Sequence, residues 1–376
     1  MRILQVGCQL DERRRGGEEL LAAWPTLSAV AEAVSGAGAE VVVIQAAHRD
    51  DTLSRDGVTY RFVAEPRLAR IPWTRTAAGI FPIRLYRTAA AVSADLVHLN
   101  GLAFPLHTRA LAALGRPVLV QDHADRPPVR RLAVHRWGLA GIAAAAFTAR
   151  EQAKEFLDTG PLPDGARIFE VPESSTRFSP GDTAEARAAT GLHGDPILLW
   201  VGRLDDNKDP LTILDALSRA RHRLRDPHLW CCFTEAPLLD AVTARVAADP
   251  NLAGRVHLLG KVPHGRVEPL CRAADFLLLG SRREGSGYAV IEALACGATP
   301  VLSDIPPFRA LTGRGGVGAL TPVGDAQGFA DALVTLAAFP RPALRERAVS
   351  HFRRNLSFPA LGARLVGIYR ELLGRP

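Results

Sequence analysis

The chain has 376 residues, 47% of them hydrophobic and 23% charged, and carries a formal charge of +7 with five cysteines. That length suits two globular domains, and no run of about eighteen uncharged apolar residues is present, which excludes a bilayer-spanning helix. Cys8, Cys231, Cys232, Cys271 and Cys296 are odd in number and hold no C-x-x-C pair, which gives a zinc site no support and suits reduced thiols in a cytosolic protein.

The opening MRILQVGCQL meets an acid at Asp11. Its apolar run is too short for a secretory leader and is expected to form a buried first strand, Ile3–Val6. A helical pattern, Glu19–Ser35, follows it. Further strand-like runs are Glu40–Gln45, Leu96–Leu99, Pro117–Val120, Ile142–Thr148 and Ile168–Val171. The turn-rich PESSTRFSPGD and a helix-like stretch then lead through GLHGDP into a second series. Its strands are Ile197–Val201, His228–Phe233, Val256–Leu259, Phe276–Leu279 and Pro300–Leu302, and its helices include Leu211–Leu224, Leu238–Ala248 and Phe329–Ala337. A last helix covers about Pro359 to Leu373. Short continuous apolar strands alternating with helices predict parallel sheets covered on both faces. Two such series predict two doubly wound α/β domains. The boundaries expected are 1–172 and 196–356, with a linker at 173–195 and a terminal segment, 357–376, beyond the second domain.

The positive charge is not a tail. Up to Pro172 there are 21 Lys+Arg against 18 Asp+Glu, a net of +3; the remainder has 25 against 21, a net of +4. Arg13–Arg15 and the segment Arg126–Arg136 are locally basic, either as solvated surface or as a face for an anionic substrate or membrane. No nucleic-acid motif or aromatic-studded basic stripe accompanies them, so a nucleic-acid partner is not expected. Gly313, Gly315 and Gly318 match G-x-G-x-x-G literally, but they follow the helix-like PPFRALTG instead of a strand. A dinucleotide fingerprint needs strand, turn and helix in that order, so these glycines are expected to form a loop.

Ligands of open parallel sheets bind at the carboxyl ends of the strands. In ILLWVGRLDDNKDP, Gly202, Arg203 and Lys208 stand just past a buried strand. A forked guanidinium and a compact ammonium suit a diphosphate, though an ordinary surface loop has the same look. Lys208 is one of only three lysines, with Lys154 and Lys261. In FLLLGSRREGSGYAVIEALACG, a strand, a glycine loop and a helix succeed one another. The helix is expected to start near Gly287 or Tyr288, leaving the amides of Ser286 to Ala289 as an anion site. Ala289 to Cys296 is apolar except for Glu292, which is costly to bury without a partner. Glu292 and Glu284 can each accept hydrogen bonds from sugar hydroxyls; the bland alternatives are an exposed helix residue and a helix-start acid favoured by the dipole. In RVHLLGKVPHGRV, a nucleobase can lie against the backbone from Gly260 to Val262, or the segment is a plain loop. In the first domain, Arg15-Gly16-Gly17-Glu18 follows the first strand, and Asp122-His123-Ala124-Asp125 follows PVLVQ. The D-H-x-D cluster lacks a further ligand set, so no metal is expected there.

Glu284-x7-Glu292 with GSG after the first Glu, ALACGATPV after the second, and VGRL…K upstream resemble the retaining glycosyltransferases of family 4. The first-domain GG loop, the strand-end His123, the linker VPESSTRFSP and the terminal helix sit in family order. The resemblance implies a GT-B fold, two Rossmann-like domains facing a cleft, with the last helix returning to the first domain. It implies a nucleoside-diphosphate sugar as donor substrate, no cofactor and no metal, because two cations replace it. Arg203 and Lys208 would hold the diphosphate with Gly202 beside them. Glu292 would bind ribose, and Glu284 and His123 the transferred sugar. The amides of Gly287, Tyr288 and Ala289 would take sugar or phosphate, and Gly17 would lie against the phosphates. The acceptor would be a glycan, a lipid or a small molecule, with the basic segments facing it. A cytoplasmic protein with peripheral membrane contact fits this picture. Ser286 and Tyr288 stand where the family has other residues, and Ser303–Pro306 replaces a glycine pair, departures that bear on the donor sugar. The competing readings are a nucleotide-sugar epimerase of the same fold and a non-catalytic partner subunit.

Overall fold

The computed structural model describes residues 1–65, 82–128, 130–163 and 165–375. The chain divides into two compact units, one comprising Met1–Ser175 with Phe358–Pro376, the other Thr176–Ser357.

The first unit is built on β1 (Arg2–Gly7), β2 (Glu40–Ala47), β3 (Asp51–Arg55), β4 (Val58–Ala64), β5 (Leu96–Asn100), β6 (Val118–Gln121), β7 (Ala144–Phe147) and β8 (Arg167–Glu170). They form an eight-stranded sheet in the order β3-β4-β2-β1-β5-β6-β7-β8. Every pairing is parallel except β3 with β4. Successive side chains of a strand face opposite sides, and both sides are dry here. Leu4, Val6, Val42 and Ile44 enter one apolar cluster, while Ile3, Val41 and Val43 enter another. The helices are α1 (Gly17–Ala23), α2 (Pro25–Gly36), α3 (Ile83–Ala91), α4 (Pro105–Ala112), α5 (Leu132–Leu139) and α6 (Ala153–Asp158).

The second unit places β9 (Ile197–Gly202), β10 (His228–Phe233), β11 (Val256–Gly260), β12 (Phe276–Leu279), β13 (Thr299–Ser303) and β14 (Ala319–Thr321) in an all-parallel sheet ordered β11-β10-β9-β12-β13-β14. Its helices are α7 (Thr183–Thr190), α8 (Pro210–Ala220), α9 (Leu239–Ala247), α10 (His264–Ala273), α11 (Tyr288–Cys296), α12 (Pro306–Leu311), α13 (Ala326–Ala337) and α14 (Arg341–Asn355). Leu198, Leu199, Phe276, Leu277 and Leu278 are fully buried, as strands covered on both faces require. In both units the chain runs outward on one side of the first strand and then restarts on the other. That reversal leaves a crevice beyond the carboxyl ends of β1 and β5, and another beyond those of β9 and β12, where doubly wound sheets bind ligands.

The terminal helix α15 (Phe358–Leu372) belongs to the first unit. Its buried Leu361, Leu365, Val366, Ile368 and Tyr369 join the cluster that α2 covers. A Cβ on Gly362 would lie 2.1 Å from the Ala33 carbonyl oxygen, so only glycine lets the two helices approach this closely. The Tyr369 hydroxyl and His98 Nδ1 share a hydrogen bond of 2.7 Å inside the unit.

The helix expected over Glu19–Ser35 is two helices. Pro25 opens α2 and cannot continue the backbone ladder of α1, so the chain breaks at Trp24. The β3–β4 hairpin and β14 were not anticipated. Gly313, Gly315 and Gly318 lie between α12 and β14, outside any strand-to-helix turn. All five cysteines are buried and unbridged, and among the described residues no helix is long and apolar enough to cross a membrane.

Candidate functional site

Two loops of the second unit flank its crevice, one after β9 and one after β12. They are stitched together by backbone and side chain. The Arg282 amide donates to the Asn207 carbonyl at 2.8 Å, Asn207 Nδ2 donates to the Arg283 carbonyl at 3.0 Å, and the Arg282 guanidinium meets Asp209 at 2.7 Å. Asp205 closes the first loop by accepting from the Lys208 amide at 2.9 Å. Asp209 caps α8. A Cβ on Gly280 would sit 2.9 Å from the Asp209 carbonyl oxygen, so the close seating of β12's end against this cap requires glycine. Gly280→Val is expected to cost roughly 1–3 kcal/mol, as overpacking against backbone does. An unchanged denaturation midpoint would show that the two loops yield freely.

This stitching brings Lys208 to Glu284. Lys208 Nζ donates to Glu284 Oε1, and the Ser281 hydroxyl donates to the same oxygen at 2.7 Å. Both partners are largely withdrawn from water, with side chains 18% and 11% exposed. Ser281 is fully buried, and the Ser303 hydroxyl, at the end of β13, donates to its carbonyl. Arg203 is more open, at 49%, and its guanidinium meets Asp205 at 3.1 Å and Glu235 at 3.9 Å. Arg203 and Lys208 are thus tied to one residue, Asp205, from opposite ends of the loop.

Helix α11 starts at Tyr288 with Gly287 as its N-cap, a residue with no side chain to cap the first amides. Glu292 lies one turn in. It is buried, yet paired: His264 Nε2 is 2.8 Å from its Oε1. Burial raises the pKa of Glu292, and the neighbouring His264 opposes that rise. His264, the first residue of α10, is exposed and packs against Phe178 at 5.1 Å between ring centroids. Sequence reasoning missed His264, which lies 28 residues from its partner. Gly260 and Val262 lie at the end of β11, Val262 partly buried against the core.

In the first unit, Gly16 and Gly17 open α1 in buried positions; the Gly16 amide donates to Glu19 Oε2 at 2.9 Å. His123 Nδ1 meets Glu173 Oε1 at 2.8 Å, and its Nε2 is buried without a hydrogen-bond partner. His123 lines a cavity of about 480 Å³ with Gly7, Trp24, Asn100, Phe104 and Asp125, at the crevice beyond β1 and β5. This cavity was not expected from the sequence; no motif marks Trp24 or Asn100.

Asp122, His123 and Asp125 do not assemble as ligands of one ion. Asp125 accepts from the Leu102 amide at 2.6 Å, and Asp122 from the Asp125 amide at 3.0 Å. Burial first, and the charge of Asp125 second, push the Asp122 carboxyl up to about 7. An unfolded aspartate titrates near 4, so the folded state holds this proton more tightly. The stability it contributes is complete below pH ~4 and lost as pH rises through ~7. Asp122→Asn keeps a neutral acceptor. It is expected to stabilise the protein by roughly 1–3 kcal/mol at pH 8 while changing little at pH 4. Equal effects at both pH values in thermal denaturation would contradict a neutral Asp122.

Residues 195–338 match the family described as glycosyl transferases group 1. Over 275 residues the chain is 27% identical to the GDP-mannose:cellobiosyl-diphosphopolyprenol alpha-mannosyltransferase of Xanthomonas campestris, covering 68% of each protein. It is 32% identical over 262 residues to the D-inositol 3-phosphate glycosyltransferase of Nocardia farcinica, covering 65% of this chain and 56% of that one. Both relatives are named as transferases, not epimerases. In structure, the chain superposes on HepE of Anabaena, solved with UDP, at a TM-score of 0.68 with 14% identity, over 99% of this chain and 100% of the other. The second unit thus carries a match to the glycosyl transferases group 1 family, and the chain shares the GT-B fold of that solved structure along its whole length.

Proposed function

We propose that the protein moves a sugar from a nucleoside-diphosphate sugar to a hydroxyl acceptor with retention of configuration at the anomeric carbon. The observation that carries this reading is Lys208, a mostly buried ammonium at the switch point of the second unit, held by Glu284 and Ser281 beside the loop that leads to the open start of α11. A diphosphate supplies the negative charge that Lys208, Arg203 and the first amides of α11 are built to receive. As the bond from the anomeric carbon to the phosphate oxygen breaks, charge grows on that oxygen and the two cations meet it. The acceptor oxygen attacks from the face the phosphate leaves, and a phosphate oxygen takes its proton. Glu284 then accepts from hydroxyls of the transferred sugar, and Glu292, braced by His264, accepts from the ribose. In the first unit, His123 Nε2 offers a polar contact to a sugar in the cavity that it lines. No metal is assigned a part in these steps. HepE, solved with UDP-glucose as well as UDP, supports a nucleotide-sugar donor. The acceptors named for the two curated relatives, an inositol phosphate and a diphosphopolyprenol glycan, are both anionic, which suits the surplus of arginine and a membrane-proximal acceptor.

A thermal-shift panel of UDP, GDP, ADP and TDP tests donor binding. One nucleotide is expected to raise the midpoint, since a ligand at 100 times its Kd adds ~2.7 kcal/mol; no shift with any of the four would count against a nucleotide donor. NMR of the product should show the donor's anomeric configuration, and the opposite anomer would remove the retaining mechanism.

A further inference from the structure

Among the described residues, one group of three metal-capable side chains comes together: His193, His228 and His257, each offering one ligand atom within 4.8 Å of the others. We propose that these three histidines form a binding site for a borderline divalent cation such as zinc, at the opposite end of the second unit's sheet from Lys208.

The site follows from the register of β10 and β11. Trp230 pairs with His257 across the two strands, and His228 lies two residues before Trp230 and so on its face. His193, in the loop before β9, closes the group; Trp230 Nε1 donates to its carbonyl at 3.2 Å. Trp230 also stacks on the His257 ring at 3.8 Å between centroids, which fixes that ring. The histidines stand at the amino ends of the strands. The length of β9, roughly 20 Å at 3.3 Å per residue, therefore separates them from the loop of Arg203.

Hydrogen bonding leaves a lone pair on one ring nitrogen of His193 and of His228 facing the group. His193 Nδ1 faces the Gly191 carbonyl at 3.3 Å, which can only accept, so the proton sits on Nδ1 and Nε2 keeps its lone pair. His228 Nε2 faces the Asp226 carboxylate at 3.4 Å, which leaves Nδ1 with the lone pair. That Nδ1 lies 2.9 Å from His257 Nε2. Nitrogens bound at ~2.0–2.1 Å around a tetrahedral zinc lie roughly 3.4 Å apart, so small ring rotations admit the ion and shift the His257 proton to Nδ1. A carboxylate behind a ligating imidazole is the usual support of a metal site. Arg255 pairs with the same Asp226 carboxylate at 2.5 Å. Three imidazoles without an oxygen cage select zinc, nickel, cobalt or copper over magnesium or calcium. With His193 exposed, the fourth position is open to water or to an outside ligand.

The test uses the tag-free full chain, stripped of metal by chelator. Titration with zinc should bind one equivalent per chain and none of magnesium, and cobalt should give the visible absorption of a four-coordinate ion. His193→Ala, an exposed loop change, should weaken zinc binding at least ~10-fold, and Asp226→Asn by roughly 10-fold through the ring it supports. His257→Ala should do the same as His193→Ala, with folding checked by its thermal midpoint. Less than one equivalent bound, or wild-type affinity in His193→Ala, would overturn the proposal. Because the proposed donor site is remote, nucleotide-induced thermal shifts should be equal in stripped and zinc-loaded protein. A shift that needs zinc would place the ion in the donor site instead.

Discussion

Replacing Lys208 by alanine is expected to lower kcat/KM by roughly 10²–10³, the usual loss when one preorganised donor is removed from developing charge. The same change takes the Lys208 ammonium away from the Glu284 carboxylate, which is largely withdrawn from water beside Ser281. Stability should therefore fall as well, by roughly 1–3 kcal/mol. The two effects separate in the double variant Lys208→Ala, Glu284→Ala. Removing the stranded carboxylate should restore part of the lost stability and none of the activity. If Lys208→Ala turns over at the wild-type rate, the lysine's part is structural. Recovery of rate together with stability in the double variant would lead to the same conclusion.

Glu292→Ala should raise the Kd of the nucleotide about 10–100-fold by calorimetry, the effect of losing a charged hydrogen-bond acceptor worth roughly 1.5–3 kcal/mol. The ribose assignment makes a sharper demand. A nucleotide lacking one ribose hydroxyl should bind the wild-type protein more weakly than the parent nucleotide, and should lose little further affinity in the variant, because the two changes remove one interaction. Additive losses would place Glu292 away from the ribose. His264 holds the carboxylate from the exposed side, so its loss should have a smaller effect in the same direction.

The sequence makes Glu292 legible because charge is so scarce around it. Glu292 is the one acid in an apolar helix that the structure buries from Val290 to Cys296. The central strands of both sheets were equally legible, though not β3, β4 or β14: four to six consecutive, mostly apolar residues between helices have few other uses. The β3–β4 hairpin escaped because β3, DTLSR, is polar and only partly buried at the sheet edge. Its signal was present in Asp56-Gly57, a two-residue turn between DTLSR and VTYRFVA. The break at Trp24 was likewise announced by Pro25, which the apolar periodicity of the segment outweighed.

Contacts were far less legible than elements. Nothing in the spacing assigns Glu284 to Lys208, 76 residues apart, or His264 to Glu292. The first pairing comes from strand order, which sets the loops after β9 and β12 side by side, and the second from the packing of α10 against α11. The histidine cluster was hidden for the same reason: its members lie on a loop and two neighbouring strands, and no local motif links them.

The central claim is that a nucleoside diphosphate binds at the carboxyl edge of the second unit's sheet. A crystal structure of the protein with the nucleotide that gives the largest thermal shift tests it most directly. The phosphates are expected within hydrogen-bonding reach of Lys208 and the first amides of α11, with Glu292 on the ribose. A diphosphate bound elsewhere, with Lys208 still closed on Glu284, would contradict it.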